Sequence, residues 1–228
     1  PFSLWHCLFD TARGRASELF TNNSNAADTG ASSTSGLTAF NSNGFSLGTN
    51  YYGENPLGET QASWTFRKAP KFFDVVTYTG DGVLGRTVSH SLGSVPGCII
   101  VKQTSGAQDW LVYHRSLGNT KALYLNQTSE AVTLLSWWNN TSPTSTEFTV
   151  GSNNRCNQSG STYVAYVFAH DAGGFGDSGN ENVISCGTFT SDSSNNATVT
   201  LGWEPQWLLF KRTDSTGSWA LHDTMRGG

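Results

Sequence analysis

Apolar and polar positions alternate in short bursts along this chain. In TYVAYVFA (162–169), Tyr163, Ala165 and Val167 face one way, and Val164, Tyr166 and Phe168 the other. A period of two marks a strand, because successive side chains leave opposite faces of the backbone. The runs CIIVKQT, DWLVYH, KALYLN, EFTVGS, NVISCGTFT, ATVTL and QWLLFKR are equally short. They are rich in β-branched and aromatic residues and are bounded by Gly, Asn, Ser or Pro, which predicts strands at each. No segment keeps a helical period over three turns. GRASELF (14–20) is the best candidate for one turn of helix.

The pattern also repeats. LGSVPGCIIVKQTSGAQDWLVYHRSLG (92–118) lies over LGWEPQWLLFKRTDSTGSWALHDTMRG (201–227) without a gap, at a shift of 201 − 92 = 109. Seven positions are identical: Leu92/Leu201, Gly93/Gly202, Pro96/Pro205, Lys102/Lys211, Thr104/Thr213, Trp110/Trp219 and Gly118/Gly227. Upstream, Val75-Val76 corresponds to Val183-Ile184, and TYTGDG (77–82) to TFTSD (188–192). LFTNNSNAADT (19–29) lies over LYLNQTSEAVT (123–133), a shift of 123 − 19 = 104. FSLGTN (45–50) lies over FTVGSN (148–153), and TQASWTF (60–66) over TYVAYVF (162–168).

The predicted fold is therefore all-β, built of tandem β-sandwich (jelly-roll-like) units of roughly 105 residues with incomplete terminal units. Residues 1–72 are the second part of a first unit, 73–180 a complete unit, and 181–228 the first part of a third. HDAGGFGDSGNEN (170–182) and FRKAPKFFD (66–74) read as connectors. Part-units alone would expose apolar faces and open strand edges. The chain is thus expected to be a piece of a longer protein, or its two parts to complete each other within the chain or between subunits.

Taken together, YTGDG, SLGSVPGCIIVK, the Trp-led strand ending in Gly, YLN, STEFTVG, YVAYVFAH and LGWEPQWLLFKR resemble repeats in tailed-phage virion proteins. The likeness is to large tail-fibre and tail-associated proteins of phages infecting marine bacteria and cyanobacteria, and it covers nearly the whole chain. The units also resemble concanavalin A-like (laminin G-like) β-sandwiches. The resemblance implies a structural, non-enzymatic component of an extracellular virion, engaged in host attachment. Its implied partners are other virion proteins, further copies of itself (a homo-oligomer, trimeric in a fibre) and host cell-surface glycan.

Composition narrows the classes. The chain has 228 residues, 36% hydrophobic, 12% aromatic and only 13% charged, with a net charge of −4. So rich a set of aromatics and so few charges argue for a folded chain. The basic residues are scattered, which argues against nucleic acid as a partner. No apolar stretch approaches the ~20 residues that span a bilayer, so no membrane insertion is expected. Cys7, Cys98, Cys156 and Cys186 form no C-x-x-C pair and no zinc spacing, and are expected as small buried hydrophobes.

Candidate chemistry is sparse. WHCLFDTARG (5–14) and WALHDTMRG (219–227) both carry Asp-Thr-x-Arg-Gly, as Asp10/Arg13 and Asp223/Arg226, whereas the middle copy reads WLVYHRSLG and lacks both charges. A tight turn explains this better than catalysis: Asp accepts a backbone N–H, Arg pairs nearby and Gly takes a positive φ. The recurrent Trp5, Trp110 and Trp219 are expected in the core, and Lys102 and Lys211 as strand-end lysines lying over apolar surface. Aromatics peculiar to one copy, Trp137, Trp138, Tyr51 and Tyr52, are the candidates for stacking on sugar. There is no G-x-S-x-G, H-E-x-x-H or P-loop. Asp171, Asp177 and Glu181 share a Gly-rich loop that offers oxygens to calcium, but at no EF-hand spacing. No enzyme activity, metal or cofactor is expected. The alternative to a virion spacer is a carbohydrate-binding adhesin module.

Overall fold

The alternating run at 162–168 becomes the spine of the molecule. A computed structural model describes residues 5–51 and 57–225. Its strands in chain order are β1 (Cys7–Leu8), β2 (Leu19–Phe20), β3 (Leu37–Asn41), β4 (Gly44–Leu47), β5 (Phe73–Thr79), β6 (Arg86–Ser89) and β7 (Cys98–Gln103). They continue with β8 (Leu111–His114), β9 (Lys121–Tyr124), β10 (Val132–Thr133), β11 (Glu147–Val150), β12 (Thr162–Phe168), β13 (Trp207–Phe210) and β14 (Ala220–Asp223). The architecture is all-β. One helical turn, α1 (Asn154–Asn157), precedes β12, with Asn153 accepting from the Arg155 amide at its start.

The central sheet has six strands in the order β10-β9-β8-β7-β12-β5, paired antiparallel throughout. Alternation in β12 gives this sheet two apolar faces. Tyr163, Ala165 and Val167 join Ile99, Val101, Leu111, Tyr113, Trp137, Trp138, Phe148 and Val150 in one core. The two-stranded sheet of β6 and β11 supplies Val88, Phe148 and Val150 to it, so residues 73–169 form a sandwich. Val164 and Tyr166 join Leu19, Phe73 and Trp110 in a second core on the opposite side, with Leu8, Ala27, Ile100 and Phe168 at its margin. Here the leading segment packs on the sheet of the middle one. Each large aliphatic side chain buried in these layers stabilises the fold by roughly 1.5–3 kcal/mol.

Outside the middle segment the ladders are short. β1 pairs with β2, β3 with β4, and β13 with β14. Two of these reproduce middle-segment registers. Trp207↔Asp223 through Phe210↔Ala220 is the register Cys98↔His114 through Val101↔Leu111 displaced by 207 − 98 = 109. Cys7↔Phe20 and Leu8↔Leu19 are Leu111↔Tyr124 and Val112↔Leu123 displaced by 111 − 7 = 104.

Three expectations fail. GRASELF forms no helix: Glu18 bridges to Asp28 and Leu19–Phe20 enter β2. The strands predicted at 182–190 and 197–201 do not form, and those residues are mostly exposed. TQASWTF (60–66) is likewise outside any ladder, unlike its counterpart β12. A strand is made by hydrogen bonds to a neighbour, and among the described residues 60–66, 182–190 and 197–201 join no ladder. β5, β6 and β12 are held by one another, by β7 and by β11.

Candidate functional site

The copy-specific aromatics do not form an open platform. Trp137 and Trp138 are 2% and 1% exposed, inside the main core. Trp138 meets Tyr113 edge-on at 5.5 Å and donates its indole N–H to the Lys121 carbonyl at 3.0 Å. Trp137 meets Tyr124 edge-on at 6.2 Å. Their expected role in sugar stacking is corrected on this ground, since stacking needs an exposed ring face. Tyr51 is half-buried, with its hydroxyl 3.4 Å from an Asp28 carboxylate oxygen. Tyr52 lies outside the described residues.

The Asp-Thr-x-Arg-Gly turn at 10–14 is built as the turn chemistry requires. The Arg13 amide donates to the Asp10 carboxylate at 2.9 Å, and Gly14 takes φ 84°. The Arg13 guanidinium then pairs with Asp10 at 2.6 Å, both side chains being almost fully buried. What the sequence did not show is the third member. Tyr166, from the far face of β12, donates its hydroxyl to Asp10 at 2.7 Å and lies 3.2 Å from Arg13. Burial pushes the Tyr166 hydroxyl well above its usual range, so it stays a proton donor. The cluster neutralises its own charge and fastens the leading segment to the central sheet. Arg226, the partner expected for Asp223, lies outside the described residues.

The recurrent Trp and Lys lie at the same junctions. Trp110 is fully buried, and its indole N–H is shared between the carbonyls of Phe20 and Asn23, each at 3.1 Å. Trp219 donates to the Tyr124 carbonyl at 2.9 Å. Lys102 sits at the end of β7 as expected, but it does not lie over the surface. It is fully buried, with its ammonium on the carbonyls of Gln103 at 2.6 Å and of Ser24 and Gly106 at 3.3 Å. Desolvation lowers its pKa from 10.5 to about 8, against the attraction of Asp109. Lys211 reaches the Gly217 carbonyl. The one signal for this role was a lysine recurring inside an otherwise apolar strand.

Backbone bonds complete the junctions. Ala27 N–H donates to Thr104 at 2.8 Å, joining the leading and middle segments. Ala131 N–H donates to Thr213 at 2.9 Å, and Gly217 N–H to Thr128 at 2.8 Å, joining the middle and trailing ones. Phe66 also meets Trp207 edge-on at 6.2 Å, between the leading and trailing segments.

Cys7, Cys98, Cys156 and Cys186 form no disulfide among the described residues. Burial holds the Cys156 and Cys186 thiols up near about 12 and raises Cys98 as well, which leaves little thiolate to act as a nucleophile. Among the described residues no three His, Cys, Asp or Glu converge as metal ligands, and no helix is long and apolar enough to cross a membrane. A shallow recess of about 390 Å³ is lined by Gln108, Ser136, Ser152, Asn153, Asn154 and Arg155. It offers amides, hydroxyls and a guanidinium anchored to Asp109 at 3.2 Å.

Residues 2–228 match the family described as "Domain of unknown function (DUF7483)", and the chain belongs to that family. No curated protein and no solved structure matches the chain.

Proposed function

We propose that the chain is a structural and adhesive component of a phage virion, a tail fibre or tail-associated protein, that works without catalysis. One observation carries the non-catalytic part: its most distinctive side chains are taken up in joining successive segments. Trp110, Lys102 and the Asp10–Arg13–Tyr166 cluster hold the leading segment to the middle one, and Trp219 holds the trailing segment. Arg13 borders a shallow recess beside Ser17, Thr77, Tyr78 and Thr162, but its guanidinium is held there by Asp10 and the Ser17 carbonyl. The virion assignment rests on the resemblance of the repeated motifs. In this reading the chain is a tandem array that spaces and presents surface, and several copies on one particle convert weak contacts into avidity.

Mass spectrometry of purified particles, with antibody labelling of their tails, tests the assignment. Peptides of this chain in the particle and label on the tail are expected; absence of both overturns it. Light scattering of the intact protein reads the oligomer, with trimers expected for a fibre.

The second reading, a carbohydrate-binding adhesin, is favoured by the recess at 136 and 152–155, whose amides and hydroxyls suit sugar hydroxyls. Binding on a glycan array that is lost on Asn154→Ala/Arg155→Ala, with the fold kept, would support it. An array without any signal leaves the spacer reading alone.

A further inference from the structure

The two junctions use the same atoms at displaced positions. At the first, the Trp110 indole donates to the Phe20 carbonyl and the Ala27 amide to the Thr104 carbonyl. At the second, the Trp219 indole donates to the Tyr124 carbonyl and the Ala131 amide to the Thr213 carbonyl. Trp110 and Thr104 become Trp219 and Thr213 at a shift of 219 − 110 = 109, and Phe20 and Ala27 become Tyr124 and Ala131 at a shift of 124 − 20 = 104. A third position agrees in part. The Ser24 carbonyl accepts from Lys102, while its counterpart, the Thr128 carbonyl, accepts from the Gly217 amide.

We infer that these contacts are one directional docking joint, made twice, and that its partner is another unit of this same fold, recognised through its main chain. One half of the joint is the segment that follows the YLN-type strand: 20–27, and again 124–131. The other half is a Trp indole with a carbonyl past the end of the preceding strand: Trp110 with Thr104, and again Trp219 with Thr213. The middle segment carries both halves, one engaged on each side. The halves are different surfaces, so the contact is heterologous and does not close on itself. Units added through it extend an array in one direction, each touching its neighbours.

Main-chain recognition explains why the joint survives a change of sequence. Between 19–29 and 123–133 only Leu19/Leu123, Asn22/Asn126, Ala27/Ala131 and Thr29/Thr133 are identical. The acceptors at 20 and 124 are carbonyls that any residue supplies. The donor is an indole N–H, which only Trp supplies, and Trp is the residue that recurs. The inference rests on the spacer reading for its purpose, while its test reads only the joint.

Hydrogen exchange of the intact chain, resolved to single amides, provides that test. The Ala27 and Ala131 amides are expected to be protected in the native protein. Trp219→Phe keeps a ring and removes the N–H; it is expected to speed exchange at Ala131 about tenfold and to leave Ala27 and the β12 amides unchanged. A second variant gives 20–26 the side chains of 124–130, by F20Y, T21L, N23Q, S24T, N25S and A26E. Protection at Ala27 should stay within about threefold of the native value, because the acceptors are unchanged. The inference is overturned if either native amide exchanges freely, or if Trp219→Phe affects both amides or neither. It is equally overturned if the second variant loses protection at Ala27 while β12 stays protected. None of these outcomes depends on whether the chain is found in a virion.

Discussion

Residues 98–114 and 207–223 build the same two-stranded ladder and end in different surroundings. Ile99 and Val101 are fully buried, whereas Leu208, the counterpart of Ile99, is 44% exposed. The pairing is identical, so the difference comes from the neighbours. β7 has β12 on its second edge and β6–β11 over its face, while β13 pairs only with β14 among the described residues. Register is thus written in the two strands and the turn between them, and burial is written elsewhere in the chain. Residues 60–66 make the point from the other side: the counterpart of β12 joins no ladder among the described residues, whereas β12 is paired on both edges.

The largest way to break this comparison is to empty the middle core. Trp138→Ala is expected to cost about 3–5 kcal/mol in chemical denaturation, removing a fully buried ring and its bond to Lys121. Arg13→Met should cost about 3 kcal/mol, because Asp10 would remain as a buried carboxylate without its counter-charge. Hydrogen exchange should locate that loss in β1 and β2 before it reaches β12. The sharpest test sets counterparts against each other. Ile99→Ala should cost about 2–4 kcal/mol and Leu208→Ala under about 1 kcal/mol; equal losses would mean that β13 is covered in solution.

The last test is in pH. Folded Lys102 gives up its proton near pH 8, while the unfolded chain holds it to about 10.5. Between these values the unfolded state binds more protons, so this lysine's contribution to stability rises with pH. Lys102→Met removes that dependence. Its stability relative to the native chain should therefore fall from pH 8 to 10.5, and a flat difference would show the ammonium to be hydrated.

Much of the middle sandwich was legible in the sequence, because local alternation states which residues share a face. Tyr163, Ala165 and Val167 enter one core, and Val164 and Tyr166 the other. The site residues were less legible. Trp137 and Trp138 sit among polar neighbours, and a strand would send one of two adjacent rings to solvent. They lie instead in the turn at 135–140, where successive residues need not alternate, and both rings go inward. Tyr166 on Asp10, and Lys102 on Ser24, are contacts between residues far apart in the chain, which no local pattern announces.

One pairing carries a mechanical consequence. Phe73 opens β5 and Phe168 closes β12, and the two lie opposite each other with ring centroids 4.9 Å apart. The chain therefore enters and leaves the middle segment side by side. Tension along such a chain pulls adjacent strands apart from a shared end, so rungs break in sequence and not all at once. Single-molecule stretching should record the middle segment yielding at low force once the links to its neighbours are severed. With those links in place the load would run through them, from one segment to the next, and the sheet inside would be spared.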